Sequence, residues 1–184
     1  MRVGEREVIL GLLSTFSFYS RVYEEASLAI GRLVGAMKGG VCEPYFHHLK
    51  HIFETTSKTF SSLCESGSRN FKVEIPDQSP ERYLGSLIFR ALTSINRAVE
   101  DVSESHPPSK SAALMIASST ISLNKLVSLS LTMLTTLLGE MDEEWFLWTR
   151  LVVEMVKEEL AAQTKALEKV RDIIRVKWED CEEV

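Results

Sequence analysis

Ile9, Leu12, Phe16, Tyr19, Tyr23, Ala26, Ile30, Leu33 and Met37 follow one another in steps of three and four residues without a break. A strand repeats its faces every two residues and a helix every 3.6, so this spacing predicts one long helix with a continuous apolar stripe. A three-four alternation held over four heptads also predicts how that helix packs. Its stripe must lie along other helices at a shallow angle, as in a bundle or coiled coil. Val8, Val22, Ala29 and Ala36 widen the stripe on one flank, and Leu13 and Val34 on the other. The same pattern returns in Leu84, Ile88, Ala91, Ile95, Ala98 and Val102, and again in Val153, Val156, Leu160, Gln163, Leu167, Val170 and Ile174. Several such stripes in one chain cover one another, so the expected fold is all-α.

Glycine, proline and capping residues divide the chain. The first helix is expected from Glu5 to Lys38, ending at Gly39-Gly40. The second opens at Glu43-Pro44, where proline suits a first helical position, and fades by Glu65. A loop follows in which FKVEI is a candidate extended piece. The third helix begins at Ser79-Pro80 and ends before His106-Pro107-Pro108. Ser109 is the expected N-cap of the fourth, which stops at Gly139. Asp142 is the expected N-cap of the fifth, with Glu143 and Glu144 in the first turn and an end near Asp180. The architecture predicted is an up-and-down bundle of about five helices, four of them long, forming one domain over residues 1–184.

The balance of charges narrows the partners. A net charge of −5, with cations and anions interspersed, argues against a nucleic-acid partner. Cys42, Cys64 and Cys181 are odd in number and form no CxxC, which argues against a disulfide framework or a cysteine zinc site. The opening MRVGEREV has no apolar leader, so a reducing cytoplasm is the expected location. From Ala112 to Leu138 the only charge is Lys125, and the length suits a bilayer. Ser118, Ser122, Lys125, Ser128, Thr132 and Thr135 nevertheless share one stripe, and a mid-helix lysine is costly in lipid. The expectation is a well-buried bundle helix with that stripe in water or in a polar seam, and no membrane span. Its leucines and serines also allow a small apolar ligand between helices.

Catalytic signatures are sparse. The chain has no GxxxxGK[ST], GxGxxG or GxSxG. Cys64 precedes Glu65, whose charge disfavours a thiolate. The candidate metal motif is FHHLKHIFE, residues 46–54, where His47, His51 and Glu54 fall within one helical arc suited to a divalent metal. Opposing this, Tyr45, Leu49, Ile52, Phe60 and Leu63, with Phe53 at their edge, place the core on the other side of that helix. Lys58 lies in the middle of the histidine stripe. A ferritin-like di-iron bundle needs inward carboxylates and Glu-x-x-His pairs. Here Glu24 and Glu25 face outward, His51-x-x-Glu54 is reversed, and the fourth helix has no carboxylate. A ferritin-like or other metal-binding bundle using His47, His51 and Glu54 is therefore the alternative, not the main expectation.

The main expectation is a non-enzymatic scaffold or interaction module. Beyond Glu158 the fifth helix narrows to Leu160, Gln163, Leu167, Val170 and Ile174, flanked by charges of both signs. A narrow stripe with one polar position suits a single neighbouring helix. That neighbour is either the chain's own first helix or a helix of another molecule, a second copy or a different helical protein. Trp178, near the end of the chain, is a candidate anchor for such an interface.

Overall fold

The structure is a computed structural model and describes residues 3–36, 42–75, 85–104 and 109–176. They form α1 (Val3–Ala36), α2 (Glu43–Phe71), α3 (Gly85–Glu104), α4 (Lys110–Gly139) and α5 (Glu144–Val176), and no strand occurs among the described residues. The all-α bundle expected from periodicity is the fold observed. In α1, Ile9, Leu12, Phe16, Tyr19, Tyr23, Ala26, Ile30 and Leu33 are all buried. In α3, Ile88, Ala91, Ile95, Ala98 and Val102 are buried as well. Met37 and Leu84, the end members of those stripes, lie outside the described residues.

The helices stand in a ring in the order α1, α3, α4, α5, α2, each touching the next. The α1–α2 and α4–α5 pairs are the most extensive, and α2–α5, which closes the ring, is much the sparsest of these. The two most extensive pairs are antiparallel. Cys64 Sγ donates to Leu13 O at 3.3 Å and Ser57 Oγ to Ser20 O at 2.7 Å, so α2 runs antiparallel to α1. Lys110 Nζ reaches Arg175 O at 2.7 Å and Lys125 Nζ reaches Glu168 at 2.9 Å, so α5 runs antiparallel to α4.

An aromatic cluster joins the first two helices. The rings of Phe16 and Phe60 lie 5.9 Å apart, those of Tyr19 and Phe60 5.4 Å, and those of Tyr23 and Phe53 5.0 Å. Offset and edge contacts of this kind add about 0.5–1.5 kcal/mol each beyond area burial. The two phenols then cross the core to α4: Tyr19 donates to Ser130 Oγ, and Tyr23 donates to Asn124 Oδ1 at 3.2 Å. Burial raises the pKa of both phenols, Tyr23 most strongly, so they remain protonated donors. The polar stripe on α4 thus divides. Ser122, Lys125 and Thr132 are exposed, Thr135 is buried, and Asn124 turns into the core. By length and composition α4 is long and apolar enough to cross a membrane; in the fold it packs between α3 and α5.

Three local expectations differ from the structure. First, α2 does not fade at Glu65 but continues to Phe71, ending at Lys72 in the left-handed region (φ 52°). Gly67 is the reason it can. A Cβ there would lie 2.5 Å from Leu13 Cδ2 and 2.7 Å from Trp145 Cζ2, so the glycine admits both side chains against the helix. Trp145 Nε1 also donates to Ser66 Oγ at 3.1 Å. Tertiary packing therefore overrides the weak helix propensity of SGSRN, and FKVEI contributes a helix end and an irregular Val73–Ile75 segment. Second, α5 starts at Glu144, and Phe146 N bonds to Glu143 O at 2.9 Å, so Asp142 lies outside the first turn. Third, the buried arc of α2 is turned towards α1. Phe46 and Phe53 are fully buried, whereas Tyr45 and Ile52 are only half-buried. Ser109 does cap α4, accepting from Ala112 N at 3.1 Å.

Two stability outcomes are expected. Gly67→Ala gains about 1 kcal/mol of helix propensity but overpacks a site where Leu13 is fully buried and cannot retreat. Overpacking costs about 1–3 kcal/mol, so thermal denaturation should show a lower Tm than wild type. Tyr23→Phe strips Asn124 Oδ1 of its donor while Asn124 Nδ2 already lacks a partner. The cost is about 1–3 kcal/mol. In a denaturant double-mutant cycle, Tyr23→Phe with Asn124→Leu should cost less than the sum of the single changes.

Candidate interaction surface

The stripe Leu160, Gln163, Leu167, Val170 and Ile174 is covered within the chain. Leu160, Leu167 and Ile174 have no exposed surface, and Gln163 and Val170 almost none. The chief neighbour is α4, with α2 on the other side; α1, the internal neighbour suggested by sequence, has no substantial contact with α5. Gln163 sits where α5 meets α2. Its Nε2 donates to Glu159 Oε1 at 2.8 Å, and its backbone oxygen accepts from Tyr45 Oη at 3.5 Å. Within the chain it therefore marks the α2–α5 seam. Trp178 lies outside the described residues.

The histidine face of α2 does point outward. His47, His48 and His51 are exposed, and with Pro44, Lys50 and Glu54 they line a shallow hollow of about 320 Å³. Glu54 is already engaged: Lys50 Nζ lies 3.0 Å from Oε1, while His51 Nδ1 is 3.9 Å from Oε2. The Lys50 hydrogen bond holds the Glu54 carboxyl below the usual carboxylate range. Among the described residues no three His, Cys, Asp or Glu side chains converge as a metal-holding group. Cys64 is similarly unsuited to nucleophilic chemistry. Burial, reinforced by Glu65, pushes its thiol up to about 11.

The feature that sequence reasoning missed lies at the start of α5. Leu147, Trp148, Leu151 and Met155 are between 50% and 68% exposed. Trp145 to Val156 is broadly apolar in sequence, a composition that by itself suggests enclosure by several neighbours. A helical wheel already carries the correction, because Trp148, Leu151 and Met155 fall opposite the buried Val153 and Leu160. Large apolar side chains grouped on an exposed surface commonly mark an interaction site. Leu129, Met133 and Leu137 make a second exposed ridge on α4, at steps of four.

Beside the α5 ridge runs a groove of about 540 Å³. Its α2 wall is His48, Ile52, Thr55, Thr56 and Thr59; its α5 wall is Val152, Met155, Val156 and Glu159. The groove follows from how the ring closes. At one end Tyr45 meets Gln163. At the other, Trp145 bonds Ser66, and the Phe71 ring packs 5.2 Å from Trp145 and 5.3 Å from Phe146. Between those pins α2 faces α1, and the threonines are too short to fill the gap. Thr55 and Thr59 donate their hydroxyls to the backbone oxygens of His51 and Thr55, at 3.0 and 2.9 Å. Such back-bonding satisfies the polar atom locally and leaves the methyl group on the groove wall.

The electrostatics of the α4–α5 edge are measurable separately. Lys125 holds the Glu168 carboxyl below its ordinary range, through a hydrogen bond and its charge. Lys125→Ala should raise the Glu168 pKa in an NMR titration. The depressed pKa contributes stability above the carboxylate's ordinary titration range, lost as pH falls through the folded value. Both side chains are well exposed, so the neutral-pH Tm should scarcely change. Compared with protein-family models, curated proteins and solved structures, the chain matches none of them, and its function is read from this surface.

Proposed function

We propose that this chain is a non-enzymatic helical scaffold that self-associates through the outer face of α5. The observation that carries the reading is the ridge of Leu147, Trp148, Leu151 and Met155, exposed on successive turns beside an apolar groove. Exposing this much apolar surface to water is unfavourable, at about 25 cal/mol per Å². Covering it in an assembly recovers that energy. Tryptophan and methionine are enriched at such contacts, and a tryptophan at the centre commonly dominates the binding energy. The buried stripe from Leu160 to Ile174 supports the reading in a different way. It anchors α5 firmly to α4, so the ridge is presented on a fixed element rather than on a loop.

The two faces of α5 separate the effects of substitution. Leu151→Glu with Met155→Glu should lower the oligomer mass in native mass spectrometry and sedimentation while leaving the helical circular dichroism unchanged. Leu167→Glu places a carboxylate at a fully buried position, an uncompensated charge that costs several kcal/mol. It should lower Tm sharply rather than dissociate a folded oligomer. Wild type that stays monomeric across the concentration range would exclude self-association.

A further inference from the structure

We infer that a second copy of this chain seats its α5 ridge in the α2–α5 groove, about a two-fold axis parallel to those helices. This rests on the self-association reading and specifies its geometry. A closed two-fold contact needs one patch that is complementary to itself. The α2–α5 face supplies both halves: a convex ridge of Trp148, Leu151 and Met155, and beside it a concave wall of Ile52, Val152, Val156 and threonine methyls.

Charge selects the second copy as the occupant. Tyr45 lies opposite Gln163 and Ser66 opposite Trp145, so numbering falls along α2 as it rises along α5. By this register His48 and His51 stand near the level of Glu158 and Glu159, and Thr55 and Thr59 near that of Met155 and Leu151. A two-fold axis parallel to the helices keeps these levels and exchanges the sides. The α2 rim of each copy then faces the α5 rim of the other. His48 and His51 meet the partner subunit's Glu158 and the partner subunit's Glu159, while apolar residues occupy the centre. Imidazole N–H groups donate to carboxylates whether the ring is neutral or charged. All four of these rim residues are exposed in the single chain; Glu159 accepts from Gln163 with one carboxylate oxygen, and its other oxygen remains for a donor across the contact. A two-fold axis perpendicular to the helices would instead lay α5 along α5, ridge against ridge, and leave both grooves unfilled.

The test uses two full-length variants whose masses differ, His48→Glu with His51→Glu, and Glu158→Lys with Glu159→Lys. The first places acid against acid within its own dimer, and the second places lysine against histidine. Each alone should self-associate about tenfold more weakly than wild type, a difference of about 1.4 kcal/mol, with unchanged helical circular dichroism. Mixed, they should form a heterodimer in native mass spectrometry, because one rim pair becomes Glu–Lys and the other remains wild type. If wild type dimerises but the mixture shows no preference for the heterodimer, the geometry is wrong and self-association stands. A monomeric wild type would overturn both.

Discussion

Everything in this bundle depends on covering one face of α1. Its stripe runs the length of the helix and is wider than one neighbour can cover, because Leu13, Val22 and Ala29 are buried beside the seam residues. The consequence is a ring in which α2 and α3 flank α1 and α4 closes over it diagonally. The diagonal is made by side-chain length, not backbone proximity. Tyr19 and Tyr23 are long enough to carry hydroxyls across the core to Ser130 and Asn124. An alternative pairing of the hairpins would leave those buried hydroxyls and Asn124 Oδ1 without partners, at about 1–3 kcal/mol each. The tyrosines therefore help to choose one arrangement among several that would bury comparable apolar area.

Where the sequence was legible, the reason was periodicity held over long distances. The stripes of α1 and α3 and the Val153–Ile174 stripe of α5 are buried at every described position. The Ser109 cap was legible because its geometry is local. The extension of α2 to Phe71 was not, because Gly67 is helical on account of Leu13 and Trp145, residues distant in the chain. The orientation of α2 was lost for a related reason. Its wheel offers an apolar arc from Tyr45 through Phe53, but it cannot say which neighbour will take which half of that arc. The structure gives the Phe46, Phe53 and Phe60 side to α1 and leaves Tyr45 and Ile52 to the thinner contact with α5.

The candidate surface was half legible for the same physical reason. A histidine face opposite an apolar arc reads directly from the wheel, and His47, His48 and His51 do lie outside. The groove does not read from any single helix, because it is a property of two helices meeting at pinned ends. The narrow stripe of α5 drew attention by its flanking charges, yet charges flank buried and exposed stripes alike. What distinguishes the two faces of α5 is that α4 covers one of them. Its own N-terminal apolar ridge, Trp148 to Met155, sits outside that cover.

In this five-membered ring around a diagonal tyrosine pair, the seam held most thinly is α2–α5. Filling that seam with larger side chains would have served the single chain: leucine in place of Thr55 or Thr59 would add apolar contact where α5 is thinly held. The chain instead carries threonines whose hydroxyls are tied to their own helix, and next to them leaves Leu151 and Met155 mostly exposed. Neither choice stabilises a monomer. Both become favourable together if an apolar ridge enters the groove, since a shallow methyl-lined wall accepts it and the ridge leaves water in the same step. On the proposed self-association, the weak closure of the bundle and its exposed apolar face are one feature seen from two sides.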